Sequence, residues 1–180
     1  MSAAIAVRPA CAADLDEVWA LCQTVKAQLT ADGIPIWSEE YPIRDNFAED
    51  LAAGGLLLAF ADGRLAGALS CSTDHAGEYY FDLPAPQADA AARALLARCG
   101  TTPEASVGLH RLMVHPAARR RGVAAALLAA VPAHCPGRQI TFLAAACNGP
   151  ALALYRRLGC TDWGCADFSF GQMHLFTLNG

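Results

Sequence analysis

The sequence predicts a single α/β domain of the α+β kind, in which strands and helices share one core, and three observations carry that prediction. The 180 residues are 54% hydrophobic and only 17% charged, with mean hydropathy +0.27, enough apolar surface for one core across 1–180 and against disorder. An Asp62-Gly63 pair sits between two apolar runs, the strongest short-range hairpin signal. From residue 107 onward, apolar runs and helix-like stretches alternate as β-α-β-α-β.

Residues 5–7 alternate weakly and stop at Arg8-Pro9, which predicts a short strand. Asp14 then opens a periodic stretch with Leu15, Val18, Trp19, Cys22, Val25 and Leu29 on one face, an amphipathic helix. Residues 31–42 carry two prolines, a glycine and the aromatics Trp37 and Tyr41, so they form a loop with something to pack against. A helix over 44–53 ends at Gly54-Gly55, and strands 56–61 and 64–71 flank the Asp-Gly turn. Residues 72–105 read as an irregular excursion bearing one helix, the alanine-rich 88–99. Beyond it the pattern gives a strand at 107–114, a helix at 122–134, a strand at 139–145 and a proline-opened helix at 150–158. Strands at 160–165 and 172–178 complete the sheet.

Composition narrows the function classes. Apolar runs such as 56–60 and 124–131 fall short of the roughly 20 residues a membrane span needs, so no membrane partner is expected. The start of the chain shows no basic segment leading into a long apolar one, so no signal peptide and a cytoplasmic location are expected. A net charge of −4 and a pI of 5.6 do not suit a general nucleic-acid binder, and any anion site must be local. The eight cysteines (11, 22, 71, 99, 135, 147, 160 and 165) include no Cys-x-x-Cys, and no histidine pair stands at zinc-finger spacing. Reduced, mostly buried thiols and no metal are expected.

The chemistry concentrates between Leu109 and Ala125. A strand ends at Pro116, and a basic turn, Arg119-Arg120-Arg121, feeds a helix that begins Gly122-Val123-Ala124. A helix start exposes unpaired backbone N–H groups and the positive end of the macrodipole, and small residues there let a phosphate approach. The turn is neither a P-loop, lacking Gly-Lys-Ser/Thr, nor a Rossmann turn, lacking its three glycines.

Here the chain resembles the GCN5-related N-acetyltransferases (GNAT). Their signature, Arg or Gln, two residues, Gly, one residue, then Gly or Ala after a strand ending Val-x-Pro, is matched by Arg119, Gly122 and Ala124 behind Val114-His115-Pro116. The run from Asn148 through Ala151, Tyr155 and Gly159 matches the family's Asn-x-x-Ala-x-x-x-Tyr-x-x-x-Gly-Phe segment, with Cys160 where Phe is usual. The segment from Gly33 to Pro42 is further similar to a bacterial subgroup of the family. The resemblance covers essentially the whole chain. It implies a mixed, strongly twisted sheet of six to seven strands, with the central parallel strands 107–114 and 139–145 splayed and four to five flanking helices.

By that resemblance acetyl-CoA is the co-substrate. Its pantetheine would pair with the backbone of the Leu112-Met113-Val114 strand, and Asn148 would hold the same arm. Its pyrophosphate would lie on the Arg119, Arg120, Arg121, Gly122, Val123, Ala124 and Ala125 turn and helix start. The implied reaction is attack of an amine on the thioester, which needs a neutral amine and a proton for the departing thiolate. Tyr155 suits the second role, since a phenol of pKa about 10 is protonated at neutral pH. For the base, strand alternation puts Gly108, His110, Leu112 and Val114 on one face, and an imidazole can relay a proton near neutral pH. His110 occupies a position similar to one of the paired histidines of arylalkylamine N-acetyltransferases; Gly108 stands at the other. Trp37, Glu39, Glu40 and Tyr41 would form the acceptor side, with Tyr79, Tyr80, Phe81 and Glu78 adding apolar faces and charge. Dimers are common for this fold, so a homodimer is allowed. The alternative reading is an acyl-CoA-binding sensor that keeps the cradle without turnover.

Overall fold

The computed structural model describes residues 5–34 and 36–178. Residues 1–4, on which the signal-peptide expectation rests, Pro35 of the early loop, and residues 179–180 lie outside the described residues. Seven strands form one mixed sheet in the order β1-β2-β3-β4-β5-β7-β6, with β4 and β5 parallel. The strands are β1 (Ile5–Pro9), β2 (Leu56–Ala61), β3 (Arg64–Ser72), β4 (Ser106–Val114), β5 (Gln139–Ala145), β6 (Thr161–Phe168) and β7 (Gly171–Leu178). Six α-helices accompany them among the described residues: α1 (Leu15–Ala31), α2 (Arg44–Ala52), α3 (His75–Tyr79), α4 (Ala85–Ala97), α5 (Val123–His134) and α6 (Gly149–Arg157). The chain divides into two compact units, Met1–Cys71 with Arg111–Val131, and Ser72–His110 with Pro132–Gly180, the boundary falling inside β4.

The first unit is built on α1. Val18, Leu21, Cys22, Val25 and Leu29 recur at helical spacing and pack on Phe47 of α2, Leu56 and Leu58 of β2, Ala68 of β3 and Met113 of β4. Burial among these groups pushes the Cys22 thiol up to about 11. Just before α1, Asp14 accepts two hydrogen bonds of 2.8 Å from Arg8 and one of 2.7 Å from the Cys11 N–H. The Arg8 guanidinium holds that carboxyl well below the usual range. The β2–β3 hairpin closes at Ala61↔Arg64 over Asp62 (φ +53°) and Gly63 (φ +74°), the paired left-handed conformation of a type I′ turn.

The second unit holds α3, α4, the first half of β4, β5, α6 and the β6–β7 hairpin. β4 and β5 pair over four residues each, Ser106↔Gln139 through Leu109↔Phe142. On its other edge β5 pairs antiparallel with β7, from Ile140↔Leu178 to Ala145↔Met173. Tyr79, Leu95, Cys99 and Leu175 form a buried cluster.

The excursion from residue 72 to 105 carries two helices rather than the expected one. α3 is a five-residue turn, started where Asp74 Oδ1 accepts from the Gly77 N–H (2.9 Å) and pinned by burial of His75 and Tyr79. α4 begins at Ala85, three residues before the expected start, because Pro86 suits a first helical turn whose N–H groups need no partner. The cysteines are free, but only Cys22, Cys71, Cys99 and Cys160 are buried, where most were expected to be.

Candidate functional site

In the first unit the site begins with a kink. Arg111, in the middle of β4, takes φ +52°, a left-handed conformation that costs a side-chain-bearing residue roughly 1–2 kcal/mol. It is held there by a buried ion pair. Arg111 Nη2 donates to Asp50 Oδ1 (2.7 Å) and Nε to Oδ2 (3.0 Å), while Ser70 Oγ donates to the same Oδ2 (2.5 Å). Arg111 Nη1 donates to Tyr41 Oη (2.9 Å). The two charged side chains are only 4% and 6% exposed. Beyond the kink Met113 is fully buried, while Leu112 and Val114 are half-buried on the other side of the strand.

After β4, His115 Nδ1 accepts from the Ala117 N–H (3.2 Å), closing a short 3₁₀ turn, Pro116–Ala118. Arg120 (φ +64°) and Gly122 (φ +89°) then reverse the chain into α5. The first helical bond is Ala126 N–H to the Gly122 carbonyl (2.9 Å), so the N–H groups of Val123, Ala124 and Ala125 have no acceptor within the helix. A Cβ at Gly122 would meet nothing closer than Ile5 Cδ1 at 3.7 Å, so this turn is open as well as basic. Two of its three arginines are already paired: Arg119 Nη1 with Asp32 Oδ2 (2.9 Å) and Arg121 Nη2 with Asp62 Oδ2 (2.6 Å). The Arg119 hydrogen bond holds the Asp32 carboxyl below its ordinary value. Arg120 is exposed. The anion-attracting character of the turn therefore rests on backbone N–H groups and on Arg120 more than on a triple positive charge.

The four acceptor residues expected on the early loop are spread out. Trp37 packs against the α1 core, Glu39 and Glu40 are exposed, and Tyr41 is tied to Arg111.

In the second unit, Gly108 and His110 both face α3. A Cβ at Gly108 would lie 2.9 Å from Tyr79 Oη and 3.1 Å from His75 Nδ1. His110 Nε2 lies 3.5 Å from Glu78 Oε1, both side chains largely buried. The residue after His110 is the left-handed Arg111. His75 Nε2 is within hydrogen-bonding distance of Ser106 Oγ (3.1 Å), and desolvation lowers its pKa, leaving the ring neutral.

Tyr155 projects from α6 between Phe142 of β5, edge-on at 4.8 Å, and Phe176 of β7, at 5.5 Å. Burial pushes its phenol well above the ordinary value, so it stays protonated throughout the neutral range. Asn148 caps α6, its Oδ1 accepting from the Ala151 N–H (3.2 Å). The rings against Tyr155 are Phe142 and Phe176; elsewhere in this unit Trp163 donates to Thr177 Oγ1 (3.0 Å) and Phe168 packs on Tyr80.

Sequence reasoning missed the Asp50–Arg111 pair, whose only signal is an arginine inside an otherwise apolar strand. It named Glu78 only for its charge, since the five-residue α3 is too short to show a period.

A mixed seven-stranded sheet with a parallel central pair, followed by a glycine turn into a small-residue helix start, is an acetyltransferase arrangement. The Acetyltransferase (GNAT) family matches residues 22–160, most of the chain, and the protein belongs to that family. Among solved structures it is similar to a GNAT-family acetyltransferase from Streptococcus agalactiae, at 17% identity and TM-score 0.72 over 96% of this chain and 94% of that one. It is also similar to an agmatine N-acetyltransferase, at 15% identity and TM-score 0.66 over 97% and 98% of the two chains. Arabidopsis thaliana Naa50, solved with the bisubstrate analogue CoA-Ac-MVNAL, matches at 14% identity and TM-score 0.60 over 100% of both chains. No curated protein matches the chain in sequence. Among the described residues no helix is long and apolar enough to cross a membrane.

Proposed function

We propose that the protein transfers the acetyl group of acetyl-CoA to a primary amine of a small molecule or peptide, by direct attack of the amine on the thioester. The observation that supports this reading is the start of α5, where the Val123, Ala124 and Ala125 N–H groups have no acceptor within the helix and follow an open turn, a helix start suited in general to an anion such as a pyrophosphate. Leu112, Met113 and Val114 would offer backbone to the pantetheine arm, and Asn148, whose oxygen is spent on its cap, would offer its amide N–H groups. Arg119, Arg120 and Arg121 would flank the phosphates. Bound acetyl-CoA supplies an activated acyl carbon with a thiolate leaving group.

The chain's own residues move the protons. The acceptor's ammonium first gives one proton to solvent, and as the neutral amine attacks, His110 accepts the second from the nitrogen, directly or through water, with Glu78 beside the ring. As the N–C bond forms and the C–S bond breaks, Tyr155 donates its proton to the sulfur and is re-protonated from solvent. Because burial keeps that phenol protonated, it is charged with its proton at every pH the base can use. Glu39 and Glu40, exposed beyond Trp37 and Tyr41, would draw in a cationic amine.

Isothermal titration with acetyl-CoA, followed by thiol release against a panel of amines and amino-terminal peptides, tests the reading. Micromolar binding with acceptor-dependent release is expected. Binding without release from any acceptor would favour a sensor, and no binding would refute the proposal.

A further inference from the structure

The basic turn before α5 carries three arginines in succession, yet two of them are held by carboxylates brought from other elements of the first unit. Arg119 Nη1 lies 2.9 Å from Asp32 Oδ2, and Arg121 Nη2 lies 2.6 Å from Asp62 Oδ2. Asp32 is the residue that ends α1, and Asp62 is the first residue of the β2–β3 turn. Asp32 also accepts from Gln28 Nε2 (2.7 Å), so its own helix aims the carboxylate. The bond from Arg119 and the bond from Gln28 hold that carboxyl below its ordinary value and keep it ionised. Arg120, between the two pairs, is exposed and left-handed.

The course of the turn is set without these pairs, by backbone bonds. The His115 N–H donates to the Ala66 carbonyl (2.8 Å), the Ala118 N–H to the His115 carbonyl (2.8 Å) and the Arg119 N–H to the Pro116 carbonyl (3.2 Å). Exposed ion pairs add little to stability. What these two change is the charge that an arriving anion meets. The four side chains are between 34% and 59% exposed, so a ligand can reach them, unlike the Arg111–Asp50 pair at 4% and 6%. A phosphate that takes either guanidinium must first displace its carboxylate, which then stays beside it as a like charge.

We propose that Asp32 and Asp62 are affinity-determining residues of the cradle, each competing with the phosphates of acetyl-CoA for an arginine. The competition weakens CoA as much as acetyl-CoA, and so favours the release that every turnover requires. The inference rests on the acetyl-CoA reading above.

The test is isothermal titration with acetyl-CoA and with CoA at low ionic strength, on the wild type, Asp32→Asn, Asp62→Asn, and Asp62→Asn combined with Arg121→Ala. Asparagine spares the fold at both positions: Asn-Gly suits the same hairpin turn, and an amide oxygen can still accept from Gln28. Thermal melts confirm it. Each single substitution should tighten both ligands about threefold, a gain that shrinks as salt is raised to about 0.5 M. Arg121→Ala should abolish the gain from Asp62→Asn, because the cation that was released is gone. Unchanged or weaker binding in either single variant overturns the proposal and makes the pairs ordinary surface contacts. A gain that survives Arg121→Ala overturns it too, by assigning the effect to net charge. Both outcomes leave the acetyl-CoA reading standing, whereas a wild type that binds neither ligand overturns that reading and this inference together.

Discussion

Asp50→Asn changes almost no volume, yet it removes the carboxylate charge that faces the Arg111 guanidinium at 2.7 Å, in a pair only 4% and 6% exposed. Two short hydrogen bonds to a carboxylate, 2.7 and 3.0 Å, become bonds to a neutral amide that can accept only at one end. Removing one partner of a buried pair costs about 3–5 kcal/mol, against under about 1 kcal/mol for an exposed pair. For a chain of this length that is roughly 6–20 °C in melting temperature. With a urea slope of about 2 kcal/mol/M, the midpoint should move down by roughly 2 M. Urea unfolding followed by Trp19 and Trp37 fluorescence reads it, both residues packing against the core that Met113 enters. Replacing the set together, Asp50→Leu with Arg111→Met and Ser70→Ala, should restore much of the loss, because the two charges leave as a pair and the Ser70 hydroxyl leaves with them. A loss below about 1 kcal/mol for Asp50→Asn, or a triple variant as unstable as the single one, would refute the reasoning.

Tyr155→Phe keeps the ring on Phe142 and Phe176, so stability should hold within about 1 kcal/mol while kcat falls about 100-fold; an unchanged kcat removes Tyr155 as the proton donor. Gly122→Val forces a β-branched residue to φ +89° and should raise the acetyl-CoA Kd more than about tenfold, whereas Arg121→Ala, already paired with Asp62, should change it less than about threefold. The reverse order by isothermal titration would place the affinity on the arginine charges. Gly108→Ala drives a Cβ to 2.9 Å from Tyr79 Oη and should cost about 1–3 kcal/mol in urea unfolding; no loss would mean that α3 yields freely. Burial lowers the His75 pKa from its ordinary 6.5, opposed by its hydrogen bond with Ser106 and the charge of Asp74. Above 6.5 the ring is neutral folded and unfolded; below it the unfolded chain binds the proton first, and stability falls until the lowered folded value is passed. Thermal melts between pH 7 and 5 should show a decline that His75→Gln flattens, and equal slopes would remove His75 as its source.

What was legible in the sequence is what local chemistry decides. The β2–β3 hairpin begins and turns at the predicted residues because Asp62-Gly63 can adopt two left-handed conformations in succession. Strand β5 has its predicted bounds, and the α5 start follows from Gly122. What was not legible depends on partners far along the chain. Asp50 meets Arg111 across 61 residues, and Arg119 and Arg121 find Asp32 and Asp62 across 87 and 59, so a run that reads as three free cations has two of them paired. Helix α3 owes its existence to burying His75 and Tyr79 against Gly108, which no periodicity within five residues can announce. β6 reaches three residues beyond its predicted end because Ala166, Asp167 and Phe168 still pair with Met173, Gln172 and Gly171 of β7.

The proposed cofactor site and the exposed surface place different demands on the sequence. The proposed cradle at α5 is made of N–H groups and of the left-handed Arg120 and Gly122, so it would constrain backbone shape and bar bulk at a few positions while leaving most side chains free. A site of that kind would be compatible with a fold shared at TM-score 0.72 with a structure that has 17% of its residues in common. Exposed side chains obey the opposite rule: Phe81 and Phe170 are 68% and 43% exposed, so folding neither requires nor forbids them, and their substitution should leave both the proposed cradle and the core untouched.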